Sequence, residues 1–161
     1  MDLLKVKDYL KSYKENFSKV HQEEIYKWEA VKLFQENFDV EAINFYENLE
    51  KSLAKTANLL KSGNYYAHKM LLDNTKKTPE KVRKCFKELY NETIDIPTRI
   101  ENFRKNFTTI SNENYPTEKL NHYQDHRAVV VYLSLNYPER YFLYKFGMFK
   151  DFGLKIGYDK I

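Results

Sequence analysis

His122 and His126 lie four residues apart, the spacing that places two side chains on one face of a helix. Histidine pairs of this kind bind zinc in metalloenzymes, and Asp125 and Glu118 are nearby in the sequence. The segment has no HExxH motif and the chain has no CxxC pair, so a zinc site here is short of ligands. We therefore favour two polar residues at a junction between a loop and a helix, and keep a metal-dependent enzyme as the weakest alternative.

The single cysteine, Cys85, is the other candidate for chemistry, because a thiolate can act as a nucleophile. Its neighbours fit an amphipathic helix, and nothing in the sequence positions a base such as His68 beside it. The sequence also lacks the glycine-rich phosphate-binding motifs and the GxSxG motif of serine hydrolases. We predict a structural thiol, no catalytic centre, and no bound metal or cofactor.

Cations alternate with aromatic residues in three segments, 64–69, 122–127 and 140–145. Lysine and arginine neutralise phosphates, and exposed aromatic rings stack on unpaired or flipped bases. The other interpretation, that these tyrosines are core residues, stays open from the sequence alone. The candidates for nucleic-acid binding are Tyr65, Tyr66, Lys69, Tyr123, Arg127, Arg140 and Lys145. We expect the four cations to lie on one positive surface, with one or more of the tyrosines exposed among them.

Composition limits the class of protein. The 161 residues fit one domain, 1–161, and four glycines and four prolines are too few for the turns of an all-β fold. A net charge of +4 permits a polyanionic partner without requiring one. The sequence has neither a signal peptide nor an apolar run of roughly 20 residues, and one cysteine cannot form an internal disulfide. We expect a cytoplasmic protein without membrane contact.

Apolar residues at helical spacing predict a mainly α fold: a single compact helical domain with at most a small β element near the C-terminus, at 140–146. Asp39 is expected to cap the third helix and Gly63 to end it in a left-handed conformation. The β-branched stretch 128–133 fits either a helix or a buried strand. Helices are predicted over 3–18, 23–37, 40–61, 79–91 and 97–110, with a core of Trp28, Phe45, Leu49, Leu53, Phe86, Phe103 and Phe107.

Three stretches carry a family resemblance: YKWEAVKLFQENF at 26–38, HYQD at 122–125 and YLSLNYPERYFLYK at 132–145. Together they resemble the N-terminal region of bacterial McrB-like proteins, the AAA+ motor subunits of McrBC-type modification-dependent restriction systems. In that family the region precedes a nucleotide-hydrolysing motor and is thought to recognise the DNA target. The resemblance implies that this chain is the N-terminal recognition or adaptor domain of a longer AAA+ protein, with that motor domain and a nuclease subunit as partners.

The leading functional hypothesis is a DNA-recognition module of an antiviral restriction system. It would bind modified or unmodified DNA through a basic, aromatic-lined surface, and catalysis would lie outside this chain. The alternative is a protein-interaction adaptor that docks a partner subunit or sensor. The low net charge slightly favours the adaptor, since dedicated DNA-binding domains are often more basic.

Overall fold

The computed structural model describes residues 1–143 and 146–158, and over these residues the fold is mainly α, as predicted. One two-stranded antiparallel sheet interrupts the helices. The elements are α1 (Leu3–Glu15), α2 (Phe17–Asn37), α3 (Phe45–Ser52), α4 (Ala57–Leu60), β1 (Lys61–Ser62), β2 (Tyr65–Tyr66), α5 (Ala67–Lys77), α6 (Pro79–Leu89), α7 (Ile96–Asn114), α8 (His126–Asn136) and α9 (Phe146–Lys155). Within this part of the chain, no helix combines the length and apolar content needed to cross a membrane.

Short polar side chains fix where several helices begin. Each accepts a hydrogen bond from a backbone N–H of the first turn, which otherwise has no partner within the helix. These capping residues are Asp2 for α1, Asn44 for α3, Asp95 for α7 and Asp125 for α8. α6 starts at Pro79, where the missing N–H of proline costs nothing, and this start agrees with the prediction.

The third predicted helix, 40–61, is wrong as a single element. Asp39 accepts the N–H of Glu41 at 2.8 Å in a local turn, and Asn44 caps α3 in its place. After α3 the buried Thr56 donates its hydroxyl to the Leu53 carbonyl at 2.7 Å, which closes a turn before the short α4. Serine and threonine side chains that bond nearby carbonyls compete with continued helix, and the pattern of apolar residues does not reveal this.

The small β element lies in the middle of the chain, so its predicted position at 140–146 is wrong for the described residues. β1 and β2 pair with Lys61 opposite Tyr66. Gly63 is left-handed as predicted, with φ +51°, but it is the first of two residues in the hairpin loop, a position that favours glycine. Residues 140–143 form no strand, Phe146 begins α9, and the β-branched stretch 128–133 lies in α8.

Contacts divide the chain into two compact units. The single domain 1–161 therefore stays a prediction. The central unit is Glu29–Leu143, and the terminal unit is Met1–Trp28 with Tyr144–Ile161. All predicted core residues except one are buried in the central unit: Phe45, Leu49, Leu53, Phe86, Phe103 and Phe107. The exception is Trp28, which is 59% exposed, so this prediction is wrong. Ala30, two residues further along α2, is buried, and two helical steps of roughly 100° place Trp28 on the opposite side.

The terminal unit brings α1 and α9 together. The Asp2 N–H donates to the Ile156 carbonyl at 2.6 Å, and the rings of Tyr9 and Phe152 meet edge to face with centroids 5.8 Å apart. Among the described residues of this unit, only Gly153 and Ile156 are buried. The helices of the terminal unit therefore leave most of their apolar side chains in contact with water.

Candidate nucleic-acid interface

The β1–β2 hairpin is joined to the start of α8 by a hydrogen bond between residues 60 positions apart. The Tyr65 hydroxyl donates to Asp125 Oδ1 at 2.9 Å, and the same oxygen accepts the Ala128 N–H at 3.0 Å as the cap of α8. Burial and the hydrogen bond to Asp125 raise the pKa of Tyr65, so its hydroxyl stays protonated and keeps donating. Tyr65 is therefore fixed in both position and protonation.

Arg127 lies in the first turn of α8 and packs on the other side of Tyr65. Its guanidinium carbon is 4.6 Å from the centroid of the Tyr65 ring, a cation–π distance. Its two terminal nitrogens donate long hydrogen bonds of 3.4 Å to Ser62 Oγ and to the Leu59 carbonyl. Arg127 is half-buried and engaged by the hairpin, so it supports Tyr65 as well as supplying positive charge.

Tyr123 approaches the hairpin from the loop before α8. Its ring meets Tyr65 and Tyr66 edge to face, with centroids 5.6 and 5.9 Å apart. Its φ of +55° is the only positive value at a non-glycine residue in the described ranges. Such a conformation is unfavourable for a bulky residue and persists only where the surrounding structure holds it. We call Tyr65, Tyr66, Tyr123 and Arg127 the tyrosine surface.

The buried Gln124 anchors the loop beneath the tyrosine surface. Its amide nitrogen donates to the carbonyls of Ala67 at 2.8 Å and His122 at 2.9 Å. Its amide oxygen accepts the Tyr132 hydroxyl at 2.7 Å. With both amide donors and the amide oxygen satisfied, Gln124 ties the loop to α5 and α8 at once. The loop that presents Tyr123 is thus firmly held.

The outer side of this surface combines an accessible ring with free cations. Tyr66 is 38% exposed, and its partner across the hairpin, Lys61, is exposed. Lys69 is exposed in the first turn of α5, directly after the hairpin. Within the described part of the chain neither lysine has a salt-bridge partner. Tyr66 thus has accessible ring surface, with the exposed Lys61 opposite it on the hairpin and the exposed Lys69 three residues further along the chain.

Arg140 lies away from the tyrosine surface. It follows the C-terminal end of α8, whereas Arg127 lies at the N-terminal end, and 11 helical residues span roughly 16 Å. Arg140 forms a salt bridge with Glu92, which also accepts a hydrogen bond from the Tyr141 hydroxyl. The buried Arg99 donates to that hydroxyl at 2.8 Å, so this second cluster holds the chain after α8. Lys145 lies outside the described residues.

The other candidates for chemistry have structural explanations. His122 precedes α8 and His126 is its first residue, so the two do not share a helical face, and the described residues contain no group of three or more potential metal ligands. Cys85 is buried in α6, and burial raises the pKa of its thiol to about 12. A thiol with that pKa holds almost no thiolate at neutral pH, as the prediction of a structural cysteine requires.

Sequence reasoning missed three residues that build this site. Lys61 fell inside a predicted helix, and the supporting role of Gln124 depends on a contact 57 residues away in the chain. Asp125 carried a usable signal, because an aspartate directly before an apolar run is typical of a helix cap.

Comparisons with known proteins leave the family open. No family model, no curated protein and no solved structure matches this chain. The resemblance to the N-terminal region of McrB-like proteins therefore stays a prediction that rests on the three sequence stretches alone.

Proposed function

We propose that this chain is a DNA-recognition module and that the tyrosine surface, with Lys61 and Lys69, contacts the DNA. The observation that carries the proposal is the clustering of three tyrosines from two distant segments at a hairpin where Tyr66 pairs with the exposed Lys61. Stacking of a base on an aromatic ring contributes roughly 1–3 kcal/mol and tolerates any base, since every base has a π face. Two lysines add phosphate contacts that do not depend on sequence.

The biological role beyond DNA binding is proposed from the resemblance to the N-terminal region of McrB-like proteins. The module would select the DNA target, modified or unmodified, for an AAA+ motor and a nuclease of an McrBC-type restriction system in the cytoplasm. It would do no catalysis itself. The Cys85 thiol is buried and His122 and His126 do not share a helical face, so these two sequence candidates lend no support to catalysis within the described residues.

The experiment is a binding assay by fluorescence anisotropy at low salt, with labelled single-stranded and duplex oligonucleotides. Tyr66→Ala should weaken binding by roughly 1–3 kcal/mol through lost stacking. Tyr9→Ala is the matched control, because Tyr9 is 42% exposed and also meets one aromatic ring edge to face, at 5.8 Å. Equal effects of the two variants, or no binding of either oligonucleotide, would contradict the proposal.

A second candidate, an adaptor that docks a protein partner, is favoured by the terminal unit. Leu3 is 62% exposed, Leu10 54% and Leu154 62%, and apolar side chains exposed together are typical of interaction surfaces. The two candidates separate in the same assay. If no oligonucleotide binds at low salt, and Leu10→Gln abolishes association with a candidate partner while Tyr66→Ala does not, the adaptor function replaces DNA recognition.

A further inference from the structure

His122 contributes a further hydrogen bond to the backbone of the Tyr123 loop, beside those of Gln124. Its ring Nδ1 lies 3.0 Å from the backbone nitrogen of Gln124, and it accepts that N–H. A ring nitrogen can accept only when it carries a lone pair, so the hydrogen bond requires an unprotonated Nδ1. The imidazole must therefore be neutral, with its proton on Nε2.

The surroundings of Nε2 fit the same tautomer. Nε2 lies 3.0 Å from Thr108 Oγ1, and the Thr108 hydroxyl donates to the Arg104 carbonyl at 2.9 Å. The hydroxyl proton is thus used toward Arg104, which leaves the oxygen free to accept from Nε2–H. Both ring nitrogens have complementary partners only in the neutral Nε2–H form.

We propose that neutral His122 is a positioning residue for Tyr123, and that protonation of its ring releases the loop and weakens nucleic-acid binding. A proton on Nδ1 would point at the N–H of Gln124, so two donors would face each other and the hydrogen bond would be lost. Tyr123, held at φ +55° between these residues, would then relax toward an ordinary backbone conformation. The last step, from loop to binding, rests on the function proposed above.

The groups that face His122 set the pH range of this switch. Its ring is half-buried, and it packs against Phe107 of α7 with centroids 5.6 Å apart. Burial, followed by the Arg104 guanidinium of α7, lowers the pKa of His122, and Asp125 before α8 opposes this shift. The ordinary pKa of histidine is about 6.5. The loop is therefore held at neutral pH and is released only at a pH below that value.

Three variants separate the hydrogen bond of His122 from the general effect of pH. In His122→Asn the side-chain oxygen can accept the N–H two residues further on, as Asn121 does for Tyr123 at 2.8 Å, and asparagine does not titrate. His122→Ala removes the acceptor at every pH. His126, exposed at the start of α8, gives the control variant His126→Asn, which removes another imidazole without removing a hydrogen bond of the loop.

The experiment has a readout that needs no nucleic acid. Nitrogen-15 NMR of the His122 ring should show the Nε2–H tautomer at about pH 7.5, and the Gln124 amide signal should move as the ring titrates toward about pH 5.5. His122→Asn should abolish that movement, whereas His126→Asn should leave it intact. A proton on Nδ1 at neutral pH, or a Gln124 amide that ignores the titration, overturns the proposal even if DNA binds.

Oligonucleotide binding at the same two pH values tests the last step. Acidification adds positive charge and ordinarily strengthens DNA binding, so the sign of the effect is diagnostic. We expect weaker binding by the wild type at the lower pH, because only the fraction with the loop in place binds, and the loss should stay below about tenfold because the pKa of His122 is lowered. His122→Asn should keep its affinity, and His122→Ala should bind weakly at both pH values. Equal pH responses of the wild type and His122→Asn overturn the proposal, while absence of binding throughout defeats only the proposed function.

Discussion

The central and terminal units use the same kinds of residue in opposite ways. Phe34 and Phe86 of the central unit are fully buried, whereas Phe17 and Phe152 of the terminal unit are 49% and 43% exposed. All four lie in helices. A phenylalanine at helical spacing therefore predicts a helix, but its burial depends on how many other elements pack around that helix.

The central unit supplies those elements around Phe86. The ring of Phe86 has five aromatic neighbours at centroid distances of 5.4–6.2 Å: Phe38, Phe45, Tyr90, Phe103 and Tyr132. Phe45, Phe103 and Tyr132 lie in α3, α7 and α8, whereas Phe38 directly follows α2 and Tyr90 directly follows α6. Among the described residues of the terminal unit, the ring of Phe152 contacts only that of Tyr9. The aromatic core is therefore a property of the central unit.

The largest expected effect is on stability. Phe86→Ala should lower the free energy of unfolding by about 3–5 kcal/mol, because it removes buried apolar surface and leaves a cavity among rings. Phe152→Ala should cost less than about 1 kcal/mol, as for substitutions at largely exposed sites. Urea denaturation followed by circular dichroism measures both. Similar costs would show that the terminal unit is packed as tightly as the central one.

A smaller effect is expected from charge reversal at matched lysines. Lys69 of the central unit and Lys7 of the terminal unit are both exposed, and reversal to glutamate changes the net charge equally. Lys69→Glu should weaken oligonucleotide binding several-fold and reduce the salt dependence by about one phosphate contact, whereas Lys7→Glu should change affinity less than about twofold. Salt titrations of both variants measure these changes. Equal losses of affinity would show that the binding surface is not confined to the central unit.

The smallest effect concerns pH. Burial lowers the pKa of His68 and of His122, both in the central unit. The unfolded chain takes up these protons near pH 6.5 while the folded rings stay neutral, so the unfolded state binds more protons and stability falls as the pH drops below about 6.5. Thermal unfolding between about pH 7.5 and pH 5 should show this decline, and His122→Asn should reduce it. A flat or rising melting temperature would contradict the burial of these rings.

Local signals explain what could be predicted from the sequence, and contacts between residues far apart in the chain explain what could not. The predicted start of α6 at Pro79 is correct, because a proline in the first turn is a local signal that depends on no distant contact. The tyrosines of the site were found by their alternation with cations, but their convergence depends on Tyr65 reaching Asp125 across 60 positions. The exposure of Trp28 could not be predicted, since the helical pattern gives the period of a helix and not the side on which neighbours lie.

The most direct test of the account is to map where a nucleic acid touches the chain. A single-stranded oligonucleotide carrying a photoreactive uracil, which cross-links to aromatic rings stacked on it, is irradiated with the full chain, and the modified peptides are identified by mass spectrometry. The account predicts cross-links at Tyr66 or Tyr123, lost in a Tyr66→Ala, Tyr123→Ala double variant. Cross-links confined to the aromatic residues of α1 and α9, or to Tyr141 beside Arg140, would contradict it.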